Sequence, residues 1–239
     1  LTRSSAASDV YKRQGCHIYG KAEYFNPGES VKDRAALSIV QDALKRKLIT
    51  KGGTIVEGTA GNTGIGLAVV CKEYGLNLKI VIPKTQSIEK KETLKKLGAE
   101  LIEVEAVPYS DPKNYIKQSK QIAEDLSKTN SNGVYWANQF DNTINAEAHI
   151  QTTAEEIWNQ TAGTVDGFTC SVGTGGTLAG VSIGLKDKNK DIKIALSDPM
   201  GSSLYSHIKK NKLESIGSSI TEGIGTGRVT KNFEKALVD

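Results

Sequence analysis

The chain has 239 residues, enough for one large or two small domains around a sizeable core. With 38% hydrophobic and 24% charged residues it reads as soluble and globular, and no apolar run approaches the roughly 20 residues of a membrane span. A net charge of +4 with scattered lysines argues against nucleic-acid or membrane partners, and three widely spaced cysteines (Cys16, Cys71, Cys170) argue against a paired metal motif, a disulfide framework and an oxidising compartment.

Residues 1–14 show neither periodicity nor an apolar face and lack the apolar stretch of a secretory signal; we expect them to be unstructured and non-native. From Cys16 the pattern becomes regular. Cys16–Glu23 reads as a short strand, followed by the turn Asn26-Pro27-Gly28 and a helix over Val31–Lys47. Ser30 suits its N-cap, with Asp33 reaching back to close a capping box. Ala36, Ile39, Val40, Ala43 and Leu44 recur at helical spacing. Further strands are expected at Thr54–Glu57, Leu78–Ile82, Leu101–Glu105, Gly133–Ala137, Gly167–Val172 and Ile192–Ser197. Further helices are expected at Thr63–Tyr74, Ser87–Leu97, Tyr115–Ser127, Asn145–Gln160, Thr177–Lys186 and Ser203–Lys210. Strands alternating with helices of this length predict a parallel α/β sheet with right-handed crossovers.

Three stretches carry chemistry. Lys32 falls in the first turn of its helix, the wrong end for a cation in the helix dipole, so its proton leaves more easily than usual. A neutral amine is a nucleophile toward aldehydes, although an exposed surface lysine fits the local pattern as well. Thr59-Ala60-Gly61-Asn62-Thr63-Gly64 follows a strand and opens a helix, and so does Gly173-Thr174-Gly175-Gly176-Thr177. Such a loop offers inward N–H groups and a helix N-terminus to an anion, or is simply a tight turn. Leu178 stands where a dinucleotide fingerprint needs glycine, and no Walker lysine follows the second loop. His17, His149 and His207 have no metal-ligand or triad spacing and read as structural or solvated.

Taken together, Asn26–Arg34 and the two glycine loops resemble the pyridoxal-phosphate (PLP) enzymes of the cysteine synthase family, the fold-type-II group shared with tryptophan synthase β. The resemblance runs from about Lys21 to about Arg228. It implies a two-lobed α/β fold of parallel-sheet, three-layer sandwiches, with a small lobe over about 30–142 and a large lobe over about 143–239 plus 15–29. It implies that Lys32 holds PLP as an imine and later carries the substrate α-proton. It further implies that Asn62 bonds the cofactor ring hydroxyl and that Gly173, Thr174, Gly175, Gly176 and Thr177 cradle its phosphate. Thr59, Gly61, Thr63 and Gln139 match positions that receive the substrate carboxylate. Ala60 stands where the family more often has Ser. Gly225, within Glu222-Gly223-Ile224-Gly225-Thr226-Gly227, matches a glycine loop beside the cofactor.

The activity implied is PLP-dependent β-replacement, converting O-acetylserine and sulfide to cysteine in a cytoplasmic homodimer, without metal, nucleic acid or membrane. A cystathionine β-synthase-like enzyme or a serine- or threonine-acting lyase is the neighbouring alternative. A non-catalytic pyridoxal-binding protein is the alternative of another class, and a visible absorption spectrum separates it. The family's Ser partner for the pyridine nitrogen lies in a segment beyond Asp239. Residues 1–239 alone are therefore expected to be a fragment that is poorly soluble or partly unfolded, and essentially inactive.

Overall fold

The computed structural model describes residues 2–3, 15–59 and 61–239. In chain order the elements are β1 (Thr2–Arg3), β2 (Tyr19–Gly20), α1 (Lys32–Lys45), β3 (Thr54–Gly58), α2 (Asn62–Tyr74), β4 (Asn77–Pro83) and α3 (Ile88–Lys96). There follow β5 (Glu100–Val104), α4 (Tyr115–Ser127), β6 (Val134–Trp136), α5 (Ile144–Ala148), a π-helical stretch (His149–Ala154) and α6 (Glu155–Gln160). The last elements are β7 (Gly167–Ser171), α7 (Gly176–Lys188), β8 (Lys193–Ser197) and α8 (Leu204–Lys210).

The parallel α/β expectation holds. One sheet has the order β5-β4-β3-β6, all parallel, with Thr54 level with both Asn77 and Val134. A second pairs β7 with β8, also parallel, with Gly167 level with Lys193. Each sheet has its own core. Ile39, Ile55, Leu67, Ile80, Ile82 and Leu94 meet in the first, and Leu178, Val181, Leu185, Ile192, Ile194 and Leu204 in the second. Each such fully buried aliphatic contributes about 1.5–3 kcal/mol. Of residues 1–14, Thr2–Arg3 pairs antiparallel with Tyr19–Gly20, and the other twelve lie outside the described residues, as does Ala60.

Three local expectations change. The strand read at Cys16–Glu23 shrinks to Tyr19–Gly20, because Glu23–Phe25 turns into a 3-10 segment. At α1, Ser30 Oγ accepts from the Lys32 N–H at 3.3 Å, and Asp33 Oδ2 accepts from the Gly28 N–H instead of returning to Ser30. The left-handed Glu29 (φ 62) swings the Asn-Pro-Gly turn across the helix start and puts Gly28 within Asp33's reach. The single helix expected over Asn145–Gln160 is interrupted by the π-helical stretch. There Thr152 Oγ1 donates to the Ala148 carbonyl, and His149 Nδ1 pairs with Thr153 Oγ1 at 2.8 Å, so hydroxyls enter the helical ladder.

The helices pack closely where small residues permit. A Cβ added at Gly180 of α7 would meet the Ala146 carbonyl oxygen at 2.2 Å, and one at Gly184 would meet Ala154 Cβ at 2.5 Å. That contact brings the His149–Ala154 segment under the start of α7, where the second glycine loop lies.

Candidate active site

Lys32 is partly buried at the start of α1. Arg34, two positions on in the chain, is pinned by two carboxylates. Arg34 bonds Glu23 Oε2 at 2.8 Å and Glu156 Oε1 at 2.7 Å, and Lys21 also reaches Glu156. The hydrogen bond to Arg34 leads in lowering the Glu156 carboxyl to about 2. Lys32 itself has no ion pair and no side-chain hydrogen bond among the described residues. Burial pulls its ammonium below the ordinary lysine range, opposed by Cys170 on β7. The direction matches the sequence reading, but the leading cause is desolvation. The amine lies close enough to Cys170 and to His149 for each to feel its charge.

The first glycine loop leaves the carboxyl end of β3, where open α/β sheets place ligands. Thr59 and Thr63 are buried at 5% and 3% exposure, whereas Asn62 is exposed at the first position of α2. Thr59 Oγ1 accepts from the Gly61 N–H at 3.3 Å. Thr63 Oγ1 donates to Gln139 Oε1 at 2.5 Å, so the two residues matched to one carboxylate are already in contact. A Cβ at Gly61 would meet nothing within 4 Å, so the space at Gly61 is open.

The second glycine loop is enclosed. Gly175 has φ +87, and a Cβ there would meet Phe233 at 2.7 Å. At Gly173 it would meet the Gly223 carbonyl oxygen at 2.2 Å, and at Gly176 Asn145 Oδ1 at 2.1 Å. Thr174 Oγ1 accepts from Asn145 Nδ2 at 3.0 Å, and its carbonyl accepts from Thr230 Oγ1 at 2.7 Å. Thr177 Oγ1 pairs with His149 Nε2 at 3.2 Å. A side-chain-free cradle at the N-terminus of a 13-residue helix, flanked by two hydroxyls, fits a phosphate group.

Asn145 and Asn232 join the two halves. Asn145 Nδ2 also donates to the Gln139 carbonyl at 2.8 Å, and Asn232 Nδ2 donates to the Gln139 and Phe140 carbonyls at 3.0 and 2.7 Å. Gly225 has φ +83, and its N–H donates to the Val172 carbonyl at 2.7 Å, beside Gly173. That N–H is therefore committed within the protein. Arg228 makes two 3.1 Å bonds to Asp141 and lies over the Tyr109 and Phe140 rings at 4.7 and 5.3 Å. The structure thus gathers Lys32, both glycine loops, Gln139 and Gly225 into one region, with Asn62 at its exposed face.

Sequence reasoning passed over Glu57, Asn145, Arg228, Thr230 and Asn232. Of the two readings of His149, structural or solvated, the structure supports the first: it is buried against the Thr177 hydroxyl. Burial holds the His149 imidazole down at about 3, so it is neutral. No metal-holding cluster and no helix long and apolar enough to cross a membrane occurs among the described residues.

Residues 2–239 match the family described as pyridoxal-phosphate dependent enzyme. Cysteine synthase 1 of Neurospora crassa is 53% identical over 224 residues, covering 92% of this chain and 58% of its own length. Among solved structures, a hydrogen sulfide-producing enzyme of Fusobacterium nucleatum superimposes with a TM-score of 0.80 at 37% identity. That match covers 94% of this chain and 72% of the other. An O-acetylserine dependent cystathionine β-synthase of Helicobacter pylori does so with a TM-score of 0.80 at 35% identity, covering 93% and 68%. The expected fold, that of the two-lobed PLP enzymes, is therefore met, and the chain spans less than two thirds of the curated relative's length.

Proposed function

This chain belongs to the pyridoxal-phosphate dependent enzyme family, and from that premise we propose that it serves PLP-dependent β-replacement, forming cysteine from O-acetylserine and sulfide. The observation that carries the proposal is the Lys32 amine, partly buried and unpaired, in the same region as an open loop and an enclosed anion cradle. The Neurospora relative, a cysteine synthase, supports the same reading.

In this reading Lys32 carries the cofactor, Gly173–Thr177 hold its phosphate through backbone N–H groups and the two threonine hydroxyls, and Asn62 faces its ring. Asn145 keeps Thr174 oriented and His149 keeps Thr177 oriented. Thr59, Gly61, Thr63 and Gln139 receive the substrate α-carboxylate. Gly225 shapes the neighbouring wall by close backbone approach, since its N–H is occupied. When bound, pyridoxal phosphate supplies an electron sink for loss of the α-proton. Lys32 Nζ, released when the substrate amine displaces it and held toward the neutral form by burial, takes that proton and returns it to the α-carbon once the sulfur has added. Acetate leaves the β-carbon and the sulfur of sulfide takes its place.

The Helicobacter structure favours a second reading, in which a larger thiol such as homocysteine replaces sulfide. Full-length protein loaded with PLP decides between them. Turnover of O-acetylserine with sulfide supports the first reading, and turnover only with homocysteine supports the second. We further place the small lobe at about 30–142 and the large lobe at about 143–239 plus 15–29, in a cytoplasmic homodimer. Limited proteolysis, sedimentation and cell fractionation test these assignments.

A further inference from the structure

We infer that Glu57 is a positioning residue whose buried carboxyl orients the Asn138–Gln139 turn so that the Gln139 amide meets a substrate carboxylate. The inference rests on the proposed role of Gln139. Glu57 lies on β3, all five of whose residues are buried, and is itself 1% exposed. No cation pairs with it among the described residues, and its Oε2 has no hydrogen-bond partner. A carboxyl buried without a cation is a costly choice, and an apolar side chain would fill the place at lower cost. The Val56 carbonyl accepts from the Ala137 N–H at 3.0 Å, so the strand pairing sets Glu57 beside the Asn138–Gln139 turn, whose N–H groups and side-chain amide oppose the effect of burial on its carboxyl.

Those contacts fall on a segment that needs holding. Asn138 has φ +48, a left-handed conformation uncommon outside glycine, immediately before Gln139. The Gln139 side chain is held at its oxygen, where Oε1 accepts from Thr63 Oγ1 at 2.5 Å, and its amide also acts on the Glu57 carboxyl. The carbonyl of Gln139 is fixed separately by Asn145 and Asn232. Glu57 thus supplies the remaining constraint on the residue. Burial pushes its carboxyl up to about 8, and Tyr115 on α4 is the ionisable group that senses its charge. Near neutrality the acid keeps its proton and does not repel an incoming carboxylate.

The test uses full-length, PLP-loaded protein, with O-acetylserine titrations followed by visible absorption and by steady-state kinetics with sulfide. Glu57→Ala should raise KM for O-acetylserine about ten-fold, with kcat and cofactor affinity changed far less. Glu57→Gln, which keeps the shape and one acceptor, should restore most of the loss. The double variant Glu57→Ala/Gln139→Ala should bind no worse than Gln139→Ala alone, because both remove the same contact. Where Glu57→Ala does not fold, Glu57→Met fills the volume without an acceptor and replaces it in the cycle. If Gln139→Ala binds O-acetylserine as the parent does, the reading of Gln139 is wrong and this inference goes with it. If Gln139→Ala weakens binding while Glu57→Ala does not, or if the two effects add, the Glu57 inference alone is overturned.

Discussion

The two glycine loops look alike in sequence and differ in what their glycines are for. In the second loop the protein itself demands them. Side chains at Gly173, Gly175 or Gly176 would run into Gly223, Phe233 or Asn145 at 2.1–2.7 Å, and Gly175 is left-handed. In the first loop a Cβ at Gly61 would point into open space, and only at Gly64, already in the first turn of α2, would it meet Leu94 and Thr59, at 3.0 and 3.1 Å. The second loop is closed in by the protein around it, whereas the first is open at Gly61. A rigid cradle suits a cofactor that stays, and an open loop suits a substrate that comes and goes.

The largest effect that tests this contrast is Gly175→Val. Forcing a β-branched residue to positive φ against the Phe233 backbone should destabilise the protein by about 3–5 kcal/mol, before cofactor binding is considered. Chemical denaturation of the cofactor-free protein reads this directly, and parental stability would remove the difference between the loops. Gly61→Ala should leave stability within about 0.5 kcal/mol of the parent. It should weaken O-acetylserine binding and leave PLP binding unchanged, so lost cofactor there would break the comparison from the other side.

Each loop also has a buried titratable group beside it, and their pH effects run in opposite directions. Glu57 titrates near 8 in the folded chain against an ordinary value of 4.5, with burial as the leading cause. Between those values the unfolded state releases a proton that the folded state keeps, so stability falls as pH rises through that window. His149 is held at about 3 against 6.5, so stability falls as pH drops from 6.5 toward 3. Glu57→Gln should flatten the alkaline limb and His149→Gln the acid limb, each by a few kcal/mol over its window. Urea unfolding at pH 4, 6 and 8 would show whether the slopes separate in this way.

The smallest expected change is at Arg228. Its double bond to Asp141 and its place over Tyr109 and Phe140 tie the 222–228 loop to the Gln139–Asp141 segment, at about one-quarter exposure. Arg228→Ala should cost about 1–2 kcal/mol, discounted for solvent, and should raise proteolytic cleavage within that loop. Unchanged cleavage would mean that the loop is held by its other bonds, including Gly225 to Val172 and Thr226 to Ser202.

Much of this was legible in the sequence because it rests on local signals. Alternating periodicity placed every long helix and strand to within a few residues, and glycine spacing marked both loops. The resemblance supplied Lys32, Asn62 and Gln139 as candidates for the proposed site. What escaped depends on contacts made over long distances in the chain. Asn145 and Asn232 matter because folding brings residues 139, 145, 174 and 232 together, and no local pattern marks such a bond. Glu57 sits in an apolar strand, so only its burial beside the Asn138–Gln139 turn distinguishes it. The π-helical stretch was missed because hydroxyl competition for the helical carbonyls at Thr152 and Thr153 leaves the apolar periodicity intact.

The central claim is that Lys32 carries the cofactor at the meeting point of these loops. Borohydride reduction of the full-length, PLP-loaded protein, followed by peptide mass spectrometry, tests it most directly. The account predicts a stable pyridoxyl adduct on the peptide containing Lys32 and its loss in Lys32→Ala. An adduct on any other lysine, with Lys32 unmodified in the active protein, would contradict it.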